Sequence, residues 1–190
     1  VIGHSFTMGV HWASPSAFVP VVSEIFKTVN PKVEIRQWEA GGLSASRAYG
    51  REKFYEQALA WKPDRVLLVV ADNGPDNEKA LKAMVDGFTA AGIEVMVFDR
   101  LRTSSRPRSA TAPAPALPAG LGVTPLSPTG AHVIEVGQLL LASPDMSKFV
   151  ALDGIHMTEP WHRLMAKEWL KYLIGARKAK LNGKAVLEHA

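Results

Sequence analysis

The chain contains no cysteine among its 190 residues. This absence excludes disulfide bonds and thiolate metal sites. Long apolar runs are also missing, because the longest, at 66–71, is far shorter than the roughly 20 residues of a membrane helix. We therefore predict no membrane span. No signal peptide is visible, so the expected location is periplasmic or extracellular if a signal peptide has been removed, and cytoplasmic otherwise.

The chain has no large excess of charge of either sign. Lysine and arginine total 22 against 18 aspartates and glutamates, for a formal charge of +4. No continuous basic helix or stripe accompanies this small excess, so we predict no nucleic-acid partner. The histidines, aspartates and glutamates show no metal-ligand spacing, and we predict neither a metal nor a cofactor.

Two apolar runs and several amphipathic stretches indicate the fold class. "RVLLVVA" at 65–71 and "IEVMVFD" at 93–99 are typical of parallel strands buried on both faces. Apolar residues at helical spacing predict helices over 14–30, beginning near Ser16, and over 44–61. Strands that alternate with helices favour an α/β fold, a three-layer sandwich around a parallel sheet.

The region 102–130 interrupts this alternation. It is rich in proline, alanine and serine, and it predicts a long loop without regular structure. Four arginines lie in or beside it and form either a solvated edge or a contact for an anionic substrate: Arg100, Arg102, Arg106 and Arg108. Beyond it we predict a short helix over 131–141, a strand over 149–152 and a helix from Glu159 with Thr158 as its N-cap.

Two short stretches carry reactive side chains. Ser5 in "GHSFTMG" follows the first strand, and "LDGIH" places Asp153 and His156 after the last one. The carboxyl ends of parallel strands share one edge of the sheet, where such folds place their sites. A histidine oriented by an aspartate can remove the proton of a serine hydroxyl, which is otherwise a poor nucleophile. The chain therefore carries the elements of a nucleophilic site.

Taken in order, "GHSFTMG", "EAGGLSAS", "ADNG" and "DGIH" resemble the four sequence blocks of the SGNH (GDSL-like) hydrolases. The resemblance covers about 1–99 and 150–174 and omits the proline-rich insert. It implies a flavodoxin-like α/β/α sandwich with a central, mostly parallel five-stranded sheet. We expect one such domain over 1–175, followed by a basic tail over 176–190.

The resemblance also implies roles for individual residues. Ser5 matches the nucleophile, and Asp153 and His156 match the acid and base of the catalytic triad. The amides of Ser5 and Gly42 and the side chain of Asn73 match the oxyanion hole. Two positions leave alternatives open, because Gly41 precedes Gly42 and Asn77 follows Asn73 closely.

The motifs depart from the family pattern in two places. His4 stands where the family usually has aspartate, and the third block is "ADNG" instead of Gly-x-Asn-Asp. His4 is interpreted either as a hydrogen-bonding support for the loop or as a second base. The first interpretation is favoured, because the pair of Asp153 and His156 makes another base unnecessary.

The resemblance implies a serine esterase that works through an acyl-enzyme. A small-molecule or carbohydrate ester is the expected partner, and deacetylation of an acetylated carbohydrate is one form of this activity. A non-catalytic glycan-binding module of the same fold is the alternative. A nucleotide-binding flavodoxin-like protein is disfavoured, since the loop after the first strand has no lysine and no Gly-x-Gly-x-x-Gly.

Overall fold

The computed structural model describes residues 1–8, 17–70, 75–98, 100–102, 122–124, 130–136, 139, 142–149 and 156–176. The chain divides into two compact units. The described residues within Val1–Met8, Ile35–Phe98 and Leu126–Val133 belong to the first unit, and the remaining ones belong to the second. The domain limits expected from the sequence, 1–175 and 176–190, stay a prediction.

A parallel sheet forms the centre of the first unit. The strands of the described ranges are β1 (Ile2–Gly3), β2 (Trp38–Glu39), β3 (Arg65–Val69), β4 (Glu94–Phe98), β5 (Arg100–Arg102), β6 (Gly122–Thr124) and β7 (Ala131–Ile134). Five of them form one all-parallel sheet in the order β2-β1-β3-β4-β7. This is the 2-1-3-4-5 order of flavodoxin-like folds. The predicted α/β class with a five-stranded parallel sheet is confirmed.

The two long apolar runs form the middle of this sheet. Arg65 pairs with Glu94 and Leu68 with Val97, so β3 and β4 run in register over their length. Four of the five residues in each strand are buried, which requires cover on both faces. The side chains of Arg65 and Glu94 also form an ion pair of 2.6 Å between Nε and Oε2, which adds a specific contact at the start of both strands.

The helices of the first unit follow the strands. They are α1 (Ser5–Met8), a π-helical turn (Arg47–Arg51), α3 (Phe54–Trp61) and α4 (Pro75–Ala90). The predicted helix over 44–61 is thus divided, because Lys53 adopts a left-handed φ of 54° that a continuous helix does not allow. Helix α4 buries Leu81, Met84, Val85 and Phe88 in the core beside β3 and β4.

The second unit contains α2 (Phe18–Val29) and α5 (Glu159–Ala176), which pack on each other. Pro20 lies in the first turn of α2, where its missing N–H breaks no helical hydrogen bond. The contact is aromatic: the Phe18 ring stacks on His162 at 6.1 Å between centroids and meets Trp169 edge-on at 5.9 Å. A 3₁₀ turn at Met146–Phe149 precedes α5.

Three other expectations about local structure were wrong. The predicted helix over 131–141 begins instead as β7, because pairing with β4 outweighs local helical spacing. Phe149 ends a 3₁₀ turn and does not open a strand; 150–152 lie outside the described residues. The insert over 102–130 is not wholly irregular, since β5 and β6 pair antiparallel, Arg102 opposite Gly122. Arg106 and Arg108 lie outside the described residues.

His162 makes the stability of the protein depend on pH. Its side chain is 2% exposed, and burial lowers its pKa to about 4 from 6.5. Below pH 6.5 the unfolded chain binds a proton that the folded chain excludes, so stability falls as the pH decreases. We expect urea unfolding to show a loss approaching about 3 kcal/mol between pH 6.5 and 4 from this residue.

His162→Met removes the titrating group and is expected to flatten this part of the stability profile. His132→Met is the matched control, because His132 is exposed on β7. That variant should keep the wild-type loss of stability. An equal loss in wild type and in His162→Met would contradict the assignment.

Candidate active site

Ser5 lies at the topological switch point of the sheet, where the strands that follow β1 in the chain lie on opposite sides of it. Strand β1 is flanked by β2 on one side and β3 on the other, so its carboxyl end faces the crevice where open α/β sheets bind ligands. Ser5 comes two residues after the end of β1, begins α1 and is half-buried. The structure thus places the predicted nucleophile at the edge that the motif implies.

The turn that presents Ser5 is held by its backbone. The His4 N–H donates to the Val69 carbonyl at 3.1 Å, which extends the pairing of β1 with β3 by one residue. The His4 carbonyl accepts two hydrogen bonds from Thr7, one from the N–H at 2.9 Å and one from Oγ1 at 2.8 Å. His4 therefore supports the loop through its main chain, and a role for its ring stays a prediction.

Thr7 links this turn to the end of β2. Its side chain is fully buried and also contacts the carboxyl group of Glu39. Burial raises the pKa of Glu39 above its usual value, and the polar contact with the Thr7 hydroxyl opposes this shift in part. Among the described residues Oε1 of Glu39 has no hydrogen-bond partner. Glu39 is thus a half-buried carboxyl group next to this turn.

A tight turn follows β2 and contains both candidate glycines. The Leu43 N–H donates to the Ala40 carbonyl at 3.1 Å, and Gly42 adopts a φ of 61°. A left-handed residue at the third position is typical of a type II turn and favours glycine there. The turn is attached beside β1, because the Ala40 N–H donates to the Gly3 carbonyl at 3.2 Å. Gly42 is therefore the glycine that this backbone requires.

Asn77 joins α4 to the segment after this turn. Its Oδ1 accepts hydrogen bonds from the N–H of Ser46 at 3.1 Å and from the Ser46 hydroxyl at 2.7 Å. The Ser46 hydroxyl also lies 3.1 Å from that of Ser44. These contacts give Asn77 a structural role and favour Asn73 as the oxyanion donor, although Asn73 lies outside the described residues.

The two asparagines are expected to respond differently to replacement by alanine. Because the resemblance makes Asn73 an oxyanion donor, Asn73→Ala should lower kcat about 10²-fold or more and leave the free energy of unfolding unchanged. Asn77→Ala should lower the free energy of unfolding by about 1–2 kcal/mol, because it leaves Ser46 without its acceptor. Steady-state kinetics and urea unfolding of both variants check this. If Asn77→Ala lowers kcat and Asn73→Ala lowers the free energy of unfolding, the oxyanion role belongs to Asn77.

His156 precedes α5 in the second unit and is half-buried. The chain on either side of it is joined by Thr158, whose N–H donates to the Phe149 carbonyl at 3.1 Å and whose hydroxyl donates to the Lys148 carbonyl. Helix α5 begins at Glu159 as predicted, and Thr158 occupies the N-cap position, where its carbonyl accepts hydrogen bonds from the Trp161 and His162 N–H groups. Thr158 thus joins the residues just after His156 to the end of the 3₁₀ turn.

Ser5 and Gly42 are brought to one edge of the sheet in the first unit, where α1 contacts β1 and β2. Asp153 lies outside the described residues, and its pairing with His156 stays a prediction. Sequence reasoning missed Thr7 altogether and the structural role of Asn77, the two residues that hold these loops. The repeated hydroxyl and amide side chains of "SFT", "SAS" and "DN" were the available signal.

No protein-family model matches the chain, and no curated protein matches it in sequence. Solved structures do resemble it. The psychrotrophic esterase EstA from Pseudoalteromonas sp., inhibited by monoethylphosphonate, gives a TM-score of 0.65 at 12% identity over 92% of this chain and 96% of its own. The acetylxylan esterase Axe2 from Geobacillus stearothermophilus gives 0.60 at 15% identity over 91% and 92%.

A protein of the G-D-S-L family from Desulfitobacterium hafniense DCB-2 gives a TM-score of 0.59 at 16% identity, over 88% of this chain and 94% of its own. Axe2 has been solved as three catalytic mutants, in which a serine, an aspartate and a histidine are each replaced by alanine. That aspartate lies three residues before that histidine. At these identities the likeness shows the fold, and the resemblance to the SGNH hydrolases is confirmed at that level.

Proposed function

We propose that the protein is a serine esterase that cleaves carboxylic esters through an acyl-enzyme on Ser5. The position of Ser5 carries the proposal: it follows β1 at the switch point of the sheet, on a turn fixed by Thr7, beside the Gly42 turn. The fold is shared with esterases. The serine, aspartate and histidine mutated in Axe2 correspond in type and in Asp-x-x-His spacing to Ser5, Asp153 and His156.

In the proposed reaction Oγ of Ser5 attacks the ester carbonyl carbon while His156 accepts the hydroxyl proton. The carbonyl electron pair moves to oxygen, and the N–H groups of Ser5 and Gly42 and the amide of Asn73 donate to this oxyanion. Collapse expels the alcohol, which takes the proton from His156. Water activated by His156 then releases the acid, and Asp153 orients the histidine ring throughout.

The acyl group is proposed to be short, and acetyl on a carbohydrate is the favoured substrate. No long apolar segment that could cover an extended acyl chain is evident in the sequence. Acetylxylan esterase is the function of Axe2, one of the proteins that share the fold. A hydroxyl-rich leaving group also requires no apolar pocket on the alcohol side.

The test is covalent labelling with a fluorophosphonate together with hydrolysis of p-nitrophenyl acetate, p-nitrophenyl octanoate and acetylated xylo-oligosaccharides. We expect labelling, release of acetate and faster turnover of the acetyl than of the octanoyl ester. A folded protein that is neither labelled nor active on any ester would overturn the proposal. Glycan binding without hydrolysis would identify the non-catalytic module instead.

A further inference from the structure

Arg47 binds the turn that contains Gly41 and Gly42. Its Nη1 donates to the carbonyl oxygens of both glycines, each at 3.2 Å. Its Nη2 donates to Oε1 of Glu52 at 2.7 Å. One guanidinium group therefore connects three acceptors, and the carboxylate fixes the plane in which the group faces the turn.

The π-helical turn makes this arrangement possible. In an α helix the side chains three and four residues apart are neighbours, whereas Arg47 and Glu52 are five apart. Between them the Glu52 N–H donates to the Arg47 carbonyl at 2.9 Å, which is the i to i+5 bond of a π turn. The wider turn brings the Glu52 carboxylate beside the guanidinium group, and this local irregularity thus builds the clamp.

The bond to the Gly41 carbonyl determines where the Gly42 N–H points. The peptide that joins them is planar and trans, so its C=O and its N–H point in opposite directions. A carbonyl held by Arg47 therefore directs the amide away from the guanidinium group. Two consecutive glycines allow this peptide to rotate between type I and type II turns, because neither has a side chain that disfavours one form.

Within the described part of the chain, the Gly42 N–H is available for a ligand. Among the residues that the structure describes, none accepts a hydrogen bond from it. The space around the glycine is also open, since a Cβ at Gly42 would meet no atom within 4 Å. An oriented amide in open space is the arrangement that stabilises a developing negative charge.

We propose that Arg47 is a positioning residue that holds the Gly41–Gly42 peptide in the orientation that directs the Gly42 amide at the oxyanion. The inference rests on the proposed esterase function and adds to it a residue outside the triad and the oxyanion hole. Without Arg47 the peptide samples the flipped form, in which the carbonyl oxygen replaces the donor and repels the oxyanion. Loss of Arg47 thus impairs the transition state more than substrate binding.

Arg47→Met removes the clamp and keeps the apolar stem of the side chain. We expect kcat for p-nitrophenyl acetate to fall about 10- to 100-fold, less than for deletion of an oxyanion donor, with KM changed little. The affinity for an arylboronic acid, which forms a tetrahedral adduct with serine, should fall by a similar factor. Arg51→Met is the matched control: Arg51 lies on the same π turn and is 81% exposed, and its Nε lies 4.0 Å from Oε1 of Glu52, beyond hydrogen-bond distance, so this variant should keep wild-type kinetics.

A second variant distinguishes loss of the orientation of the Gly41–Gly42 peptide from loss of folding. Arg47→Ala should recover part of its kcat when guanidinium chloride is added far below denaturing concentrations, because the free cation can occupy the vacated position. Wild type and Arg51→Met should not gain. Urea unfolding of each variant reports whether the protein is folded during the measurement.

Four results would overturn the inference: wild-type kcat in folded Arg47→Met, an equal loss in Arg51→Met, a loss confined to KM, or no gain with guanidinium. Ser5→Ala separates these results from a failure of the proposed function. If Ser5→Ala is inactive while Arg47→Met is fully active, only the role of Arg47 is wrong. If Ser5→Ala keeps full activity, the esterase site itself is misassigned, and the role of Arg47 is lost with it.

Discussion

Ser5→Ala is expected to lower kcat for p-nitrophenyl acetate by about 10⁴-fold or more, because the variant cannot form the acyl-enzyme. Labelling by a fluorophosphonate should disappear completely, since the probe needs the serine oxygen to form its bond. The free energy of unfolding should change by about 0.5 kcal/mol or less, because Ser5 is half-buried and the replacement removes one oxygen. The measurements are steady-state kinetics, in-gel fluorescence of the labelled protein and urea unfolding, all on the same preparations.

Ser23→Ala is the matched control for this experiment. Ser23 lies on α2, outside the residues proposed to react, and the same atom is removed. This variant should be labelled and active like wild type, and mass spectrometry of labelled wild type should locate the modification on the peptide that contains Ser5. Labelling at another serine, or full activity of Ser5→Ala, would show that the nucleophile is misassigned.

The sheet could be predicted at the strands whose uninterrupted apolar residues indicate burial on both faces. "RVLLVVA" and "IEVMVFD" contain uninterrupted apolar residues between turn residues, and they become β3 and β4 almost to their limits. The central five-stranded parallel sheet also followed from the resemblance and is observed. Such strands are recognisable because every position must be apolar, whichever strand lies beside them.

Elements that depend on distant partners were not predictable in the same way. Strand β7 pairs with β4, and β5 pairs with β6 about 20 residues further along the chain. The hydrophobic pattern of β7 or of β5 alone therefore does not predict a strand. The break in the helix over 44–61 was not predicted either, although the contacts that form it are local. Lys53 adopts a left-handed conformation although lysine has no preference for it, and the π turn before it is closed by Glu52.

In the candidate site, too, residues in local motifs were predicted and residues with distant or backbone partners were not. Ser5 and Gly42 were named as candidates because their motifs are short and local. In the structure Gly42 has a positive φ, a conformation that favours glycine. Asn77 was considered only as a register alternative, since its bond to Ser46 spans 31 residues of sequence. Arg47 was not identified at all: its partners are backbone carbonyls, which every residue has, so no residue pattern reveals them.

Gly3→Ala is expected to reduce the free energy of unfolding by about 3 kcal/mol and to lower activity at the same time. A Cβ at this position would lie 2.7 Å from the Cβ of Thr7 and in still closer contact with its Cγ2 and Oγ1. Thr7 cannot move aside easily, because its side chain is fully buried and its hydroxyl donates to the His4 carbonyl. The strain therefore displaces the turn that carries Ser5, two residues further along the chain.

Two comparisons isolate this steric cause. Gly41→Ala should leave stability nearly unchanged, because a Cβ there meets no atom within 4 Å and Gly41 has no positive φ. In Gly3→Ala/Thr7→Ala the colliding methyl and hydroxyl groups are gone, so the double variant should lose less stability than the two single variants together. Urea unfolding of the four variants measures this coupling. Additive losses, or equal losses in Gly41→Ala and Gly3→Ala, would show that the absence of a side chain at Gly3 is not what allows Thr7 to hold the Ser5 turn.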